Sequence, residues 1–166
     1  MWTSETEEAG RMTECQCIYP EGMIERRWNQ GPVAIIECNQ NIACNPCAAI
    51  CPQKAVKMDK ISDIPKVNYD LCNGCGLCMS ICPGLAIFNI NMKYSETSAL
   101  LKIPYEMLPL PEVGKWVNGY DRCGTYIGRY QVKNVREERK NSFTYIVSLE
   151  VPKKDVMCVR SIRIEA

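Results

Sequence analysis

The chain contains the run Cys72-Asn-Gly-Cys75-Gly-Leu-Cys78-Met-Ser-Ile-Cys82-Pro83, in which two, two and three residues separate successive cysteines. A second run ends in the same way 31 residues earlier, at Cys44-Asn-Pro-Cys47-Ala-Ala-Ile-Cys51-Pro52. Similarity at a fixed spacing is typical of two copies of one supersecondary unit, each of which is incomplete alone. The repeat therefore predicts one compact unit made of two related halves.

The later run has the cysteine spacing that binds a cubane [4Fe–4S] cluster in two-cluster ferredoxins. Each iron corner of such a cluster takes one soft anionic ligand, and a cysteine thiolate is both soft and anionic. Gly74 and Gly76 allow the positive φ angles that a loop wrapped around a cluster requires. In this motif the fourth cysteine ligates the other cluster, so the two runs are predicted to exchange their last cysteines.

Two [4Fe–4S] clusters with crossed ligand sets follow from this spacing. The predicted ligands are Cys38, Cys44, Cys47 and Cys82 for the first cluster, and Cys72, Cys75, Cys78 and Cys51 for the second. The standard first ligand position of the earlier run is Asn41, and Cys38 lies three residues before it. A [3Fe–4S] cluster, an open iron corner and a ligand from Cys15 or Cys17 are the alternatives at this corner. No catalytic side chain is predicted.

Composition narrows the possible chemistry. The chain has 166 residues, 12 cysteines, no histidine and a formal net charge of +1. Without histidine, a Rieske centre, a Cys2His2 zinc finger and a histidine acid or base are excluded. The small net charge gives no support for a nucleic-acid partner. No stretch approaches the roughly 18 apolar residues of a membrane span, so direct membrane insertion is not expected.

The expected compartment is the cytoplasm. Residues 1–10 are acidic and polar and do not form a secretory signal. Many cysteines without such a signal favour a metal protein in a reducing compartment over a disulfide scaffold. Attachment to a membrane through a partner is the alternative. Cys123 and Cys158 are isolated in the sequence and are predicted to be unpaired thiols there, and Cys15 and Cys17 are predicted to be free or buried thiols.

The fold class predicted for the chain is α+β. Around the cysteines, β-branched and aromatic residues predict short strands at 33–37, 55–58, 66–69 and 85–90, with helical turns at 46–51 and 77–82. Later strands are predicted at 115–120, 125–135, 143–151 and 159–164. The predicted organisation is an N-terminal extension (1–32), a two-cluster ferredoxin-like domain (33–91), a proline-containing linker (92–114) and a small, barrel-like β domain (115–166).

Three stretches carry a resemblance to a known family: Glu37-Cys-Asn-Gln-Asn-Ile-Ala-Cys-Asn-Pro-Cys47, Ile103-Pro-Tyr-Glu-Met-Leu-Pro-Leu-Pro-Glu112, and Val151-Pro-Lys-Lys with Val159-Arg160-Ser-Ile162. In them the chain resembles the small ferredoxin-like subunits of FAD-dependent amino-acid and imino-acid dehydrogenases, such as those acting on proline, hydroxyproline or opines. The resemblance implies a flavoprotein dehydrogenase subunit and further iron–sulfur subunits as partners. FAD or FMN would be bound in the partner and not in this chain. Cys123 departs from the family, where a charged turn residue is expected.

The predicted function is that of an electron-transfer subunit, which relays single electrons between such a flavoprotein and an acceptor. We expect no substrate turnover by the isolated chain. One alternative is a catalytic iron–sulfur protein with an open iron corner at the Cys38 cluster, where Asn41 would occupy the ligand position. The other alternative is a zinc-binding module, which the x2-x2-x3 order of eight cysteines fits poorly because structural zinc sites use four ligands in paired knuckles.

Overall fold

The structure of the chain is a computed structural model that describes residues 25–137 and 143–165. Cys15, Cys17 and most of the predicted extension at 1–32 lie outside these residues. Within the described residues strands predominate, and each helix has only four or five residues. The α+β prediction is therefore only partly right, because the helical content is confined to single turns.

The elements follow one another along the chain as short helices and antiparallel strands. They are α1 (Glu25–Trp28), β1 (Val33–Ile36), α2 (Pro46–Ile50), β2 (Val56–Lys57), β3 (Lys66–Val67), α3 (Leu77–Ile81), β4 (Ile87–Asn91), β5 (Ser98–Tyr105), β6 (Trp116–Tyr120), β7 (Tyr126–Glu137), β8 (Tyr145–Pro152) and β9 (Ser161–Arg163). Seven strands form one sheet in the order β1-β4-β5-β8-β7-β6-β9, and β2 pairs with β3 separately. The helices and strands predicted around the cysteines are confirmed.

The two halves of the cysteine repeat have the same local structure. α2 and α3 begin 31 residues apart, and each is followed by a cysteine in extended conformation, with φ −68° and ψ 109° at Cys51 and φ −72° and ψ 112° at Cys82. The proline after each of these cysteines favours that conformation, because it disfavours the α region for the residue before it. The pairing of β1 with β4 is repeated, at equivalent positions, by the pairing of β3 with β2.

The large sheet joins the cysteine repeat to the C-terminal half of the chain. β4 pairs with β5, and β5 pairs along its whole length with β8. At the centre of the sheet Leu101 lies opposite Leu149, and both side chains are fully buried. All seven strands contribute apolar residues to the larger of the two hydrophobic clusters. The framework that carries the cysteines is therefore fixed by this core.

The segment 92–114, predicted to be a linker, contains strand β5. Ala99 and Leu101 are buried and alternate with more exposed residues, which is the period-2 pattern of a strand. Prolines in the segment led to the wrong prediction. Pro104 lies beyond the β4 pairing, which stops at Lys102, so β4 requires no N–H donor from the proline, and on the other side Pro104 lies opposite Ile146 of β8.

The later strands lie within two residues of their predicted bounds, but they do not form a separate barrel in the described part of the chain. β6, β7, β8 and β9 belong to the same sheet as β1 and β4. The sheet therefore crosses the predicted boundary at residue 114. The sequence pattern of each strand indicates its existence but does not specify its neighbours in the sheet.

Candidate iron–sulfur site

Four cysteines line a small cavity beside α3, which we call the Cys72 cavity. The cysteines are Cys51, Cys72, Cys75 and Cys78. Ala34, Val56 and Leu77 add apolar wall, and the cavity volume open to a water-sized sphere is about 20 Å³. Cys51 belongs to the other half of the repeat, since it directly follows α2.

The other four cysteines line a second cavity beside α2, which we call the Cys38 cavity. The cysteines are Cys38, Cys44, Cys47 and Cys82. Ile42, Pro46 and Pro65 add apolar wall, and the cavity volume open to a water-sized sphere is about 30 Å³. Both cavities are small, as expected for two halves of one repeat. Here the cysteine from the other half is Cys82, which directly follows α3.

The structure thus brings together all eight cysteines named from the sequence, and it divides them into the two crossed groups. All eight are free thiols in the structure. Cluster ligation by these thiols stays a prediction. Each cavity thus has four cysteine side chains and a largely apolar wall.

Local backbone geometry directs Cys51 and Cys82 into the cavities. The N–H of Ala55 donates to Cys51 Sγ at 3.3 Å, and the N–H of Ala86 donates to Cys82 Sγ at 3.5 Å. The residue before each donor has a φ of 50°, so the chain turns back toward the sulfur in the same way in both halves. Hydrogen bonds to sulfur stabilise negative charge on a ligand and raise the reduction potential of a bound cluster.

Burial and neighbouring thiols oppose ionisation of the most enclosed cysteines. Burial raises the pKa of Cys78 to about 12, and Cys72, Cys75 and Cys51 contribute as nearby like charges. Burial also raises the pKa of Cys47, with Cys82 and Cys44 as the neighbouring charges. Four converging thiolates are therefore unfavourable unless a cation compensates them. A group with four iron corners fits this donor set.

The loop between Cys72 and α3 is held by close backbone contacts. Gly74 has a φ of +67°, and a Cβ atom at this position would lie 2.3 Å from the Pro32 carbonyl oxygen. The buried Asn89 side chain donates through Nδ2 to the Gly74 carbonyl at 2.9 Å. Gly76 has a φ of +86° and precedes the first residue of α3. The positive φ angles predicted for both glycines are confirmed.

Cys38, and not Asn41, faces the Cys38 cavity. Asn41 lies outside the lining of this cavity, and its Nδ2 donates to the Ser62 carbonyl at 3.3 Å. The N–H of Cys44 donates to the Ile61 carbonyl at 3.0 Å and fixes the far end of the loop. This geometry does not favour the alternative in which Asn41 occupies a ligand position.

The residue before Cys38 is anchored by arginines from the C-terminal half of the chain, a contact that the sequence did not predict. Glu37 accepts a hydrogen bond from Arg160 Nε at 2.8 Å and forms an ion pair with Arg122. Arg160 is 7% exposed, and its guanidinium lies 4.8 Å from the centroid of the Phe88 ring. Burial lowers the pKa of Arg160, and Glu37 opposes that shift.

The prediction that Cys123 and Cys158 are unpaired thiols is wrong, because both are disulfide-bonded in the structure. Both lie at one end of the β6–β9 pair, where Tyr120 is opposite Ser161. Sequence spacing carries no information about which isolated thiols the fold brings near a partner.

Within residues 25–137 and 143–165, no three Cys, Asp or Glu side chains are arranged as the ligands of a single metal ion.

Comparison with known proteins places the cysteine repeat among iron–sulfur proteins. Residues 37–93 match the family model of the LdpA Fe-S cluster-binding domain. This match covers the eight cysteines that line the two cavities, and it leaves the strands from β5 onward outside. No solved structure was found to match the chain.

Similar curated proteins agree with this match over the same part of the chain. A pyruvate synthase subunit PorD from Methanocaldococcus jannaschii is 34% identical over 56 residues, which are 34% of this chain and 64% of that protein. The ferredoxin-type protein NapF of Haemophilus influenzae is 39% identical over 59 residues, 33% of each chain. A NrfC homolog from the same organism is 47% identical over 38 residues, 23% of this chain and 17% of that protein. The chain thus spans less than two thirds of each of these relatives.

These matches and the cavity geometry support iron–sulfur binding by the cysteine repeat, and the ferredoxin-type relatives support electron transfer as its general role. Among the described residues, no helix has the length and hydrophobicity that are needed to span a bilayer.

Gly74→Ala tests the loop geometry at the Cys72 cavity. The new Cβ would clash with the Pro32 carbonyl and would force a non-glycine residue into positive φ. We expect destabilisation by about 1–3 kcal/mol from backbone strain alone. We also expect loss of any iron that is bound at the Cys72 cavity, because this loop carries Cys72 and Cys75. Urea denaturation and iron analysis measure the two effects.

Gly84→Ala is the matched control, because Gly84 has no neighbouring atom within 4 Å of an added Cβ. It should keep wild-type stability and iron content. Full iron content and unchanged stability in Gly74→Ala would contradict the role given to this loop.

Proposed function

We propose that the chain is an electron-transfer subunit that holds two [4Fe–4S] clusters, one in the Cys38 cavity and one in the Cys72 cavity. The observation that carries the proposal is the division of eight free thiols into two groups of four, each around its own cavity. When bound, such clusters supply one-electron redox chemistry. The protein supplies ligands, spacing and environment.

The two short helices connect the ligand sets to each other. Cys47 of α2 lines the Cys38 cavity, and Cys51 at the end of the same helix lines the Cys72 cavity. Cys78 and Cys82 repeat this arrangement on α3, with the cavities exchanged. α2 and α3 also pack against each other. The two sites therefore share both short helices, which keeps them next to each other.

The apolar lining and the backbone donors set the environment of each site. Val56 and Ala34 wall the Cys72 cavity, and both are at least 93% buried. Such walls limit water and lower the local dielectric, which controls the reduction potential together with the N–H···S bonds. Cys75 is exposed, so the Cys72 cavity reaches the protein surface there.

We further propose that the electron donor is a flavoprotein dehydrogenase that oxidises an amino acid or imino acid. Support comes from the three stretches that resemble the iron–sulfur subunits of such enzymes. Two of these stretches are in contact, because Glu37 of the first binds Arg160 of the third. The second and third line one groove, through Leu108 and Ile162 among others. One relative is named as a subunit of pyruvate synthase, which supports a subunit role.

If the ligand sets are crossed, alanine substitution of two equivalent cysteines, Cys51 and Cys82, should have different effects on the iron content of a chain that lacks the second cluster. In a Cys72→Ala/Cys75→Ala background, which removes the second cluster, about four irons per chain should remain. Adding Cys51→Ala should not lower this number, because Cys51 belongs to the cluster already lost. Adding Cys82→Ala should remove most of the remaining iron. Iron and acid-labile sulfide per chain measure the effect.

Cys51 and Cys82 are matched controls for each other, since they occupy equivalent positions of the repeat. The reverse result, iron loss with Cys51→Ala and none with Cys82→Ala, would show uncrossed ligation. Equal loss in both would contradict two separate four-cysteine sites.

Purification of the tagged chain from its native cells tests the partner. A flavin-containing subunit should copurify, and the complex should oxidise proline, hydroxyproline or an opine with an artificial dye as acceptor. The chain alone, loaded with iron and sulfide, should not. Robust substrate oxidation by the isolated chain would contradict the proposal that the partner subunit, and not this chain, oxidises the substrate. A native complex free of flavin would contradict the proposed flavoprotein donor.

A further inference from the structure

The buried arginine Arg27 binds the backbone around the Cys72 loop. It is 4% exposed and precedes the loop by 45 residues in sequence. Nε donates to the Tyr69 carbonyl at 2.9 Å, Nη1 to the Gly31 carbonyl at 3.3 Å, and Nη2 to the Pro32 carbonyl at 2.8 Å. Nη2 also donates to the Cys72 carbonyl. Four hydrogen bonds thus leave from one guanidinium, and all end on carbonyl oxygens.

No carboxylate of the described residues lies within ion-pair distance of the Arg27 guanidinium. The other buried arginine, Arg160, differs because Glu37 neutralises it at 2.8 Å. A guanidinium stays protonated in proteins, and carbonyl dipoles satisfy its donors without cancelling its charge. A buried charge of this kind needs a counter-charge. Within the described part of the chain, the positive charge of Arg27 therefore has no carboxylate to offset it in the interior.

The hydrogen bonds of Arg27 connect its guanidinium to the residues that carry the thiol set of the Cys72 cavity. Arg27 binds the carbonyl of Cys72, whose own side chain lines that cavity. It also binds Pro32, whose carbonyl is the surface against which Gly74 is packed. The same side chain thus holds both the first cysteine of the run and the wall beneath the loop.

We propose that Arg27 is a positioning and charge-compensating residue for the cluster in the Cys72 cavity, and that it raises the reduction potential of this cluster. The inference rests on the proposed function, because it requires a cluster in that cavity. One-electron reduction adds a negative charge to a site that already contains four thiolates. A fixed positive charge in a buried, low-dielectric region stabilises the reduced form more than the oxidised form.

The test measures the reduction potentials of both clusters in the cluster-loaded chain by redox titration with electron paramagnetic resonance. The variants are Arg27→Met and Arg27→Gln, which remove the charge, and Arg27→Lys, which keeps it. The signal that is lost in the Cys72→Ala/Cys75→Ala variant is assigned to the second cluster, which is the one in the Cys72 cavity. Arg129→Met is the matched control, because Arg129 is an exposed arginine whose side chain is 55% accessible.

In the neutral variants we expect the equilibrium constant for reduction of the second cluster to fall at least tenfold, which is 59 mV for a one-electron couple. The first cluster should change less, and Arg27→Lys should restore most of the difference. Arg129→Met should leave both potentials at the wild-type values.

Unchanged potentials in iron-replete Arg27→Met or Arg27→Gln would overturn the inference. If the neutral variants lose the second cluster, retention with near wild-type potential in Arg27→Lys supports the role of the charge. Loss in all three variants would overturn it, because lysine should rescue a residue that acts through its charge. Absence of iron–sulfur signals from the wild-type chain would instead refute the proposed function, so the two failures are distinguishable.

Discussion

Four cysteine side chains converge on each of two cavities, and as thiolates they would repel one another. Burial adds to this cost, and it raises the pKa of Cys78 and of Cys47. An iron–sulfide core relieves the repulsion, because each iron corner takes one thiolate. The free energy of binding such a core then also stabilises the loops that carry the ligands. The architecture around the cavities is consistent with this requirement.

Contacts from outside the repeat fix the loops around the thiols. β1 and β4 connect the repeat to a seven-stranded sheet with a continuous apolar core. Two buried arginines, one from each side of the repeat in sequence, bind the chain at Cys72 and next to Cys38. Arg27 binds the Cys72 carbonyl, and Arg160 binds Glu37 beside Cys38. The first cysteines need such support, since neither lies in α2 or α3.

The sequence predicted what depends on local pattern. The repeat, the two helical turns and the grouping of the cysteines follow from spacing over a few residues and from Pro52 and Pro83. Contacts between distant segments could not be predicted. Pro104 indicated a linker, although β8 and the core make its segment a strand. The Arg27–Cys72 hydrogen bond and the disulfide bond of Cys123 depend on tertiary structure. The local sequence around these residues indicates neither of them.

The most direct test is a crystal structure of the anaerobically purified chain with anomalous scattering measured at the iron edge. The account predicts two compact groups of iron peaks, one among Cys38, Cys44, Cys47 and Cys82 and the other among Cys51, Cys72, Cys75 and Cys78. Single-ion peaks, one group only, or cystine bridges between these residues would contradict it.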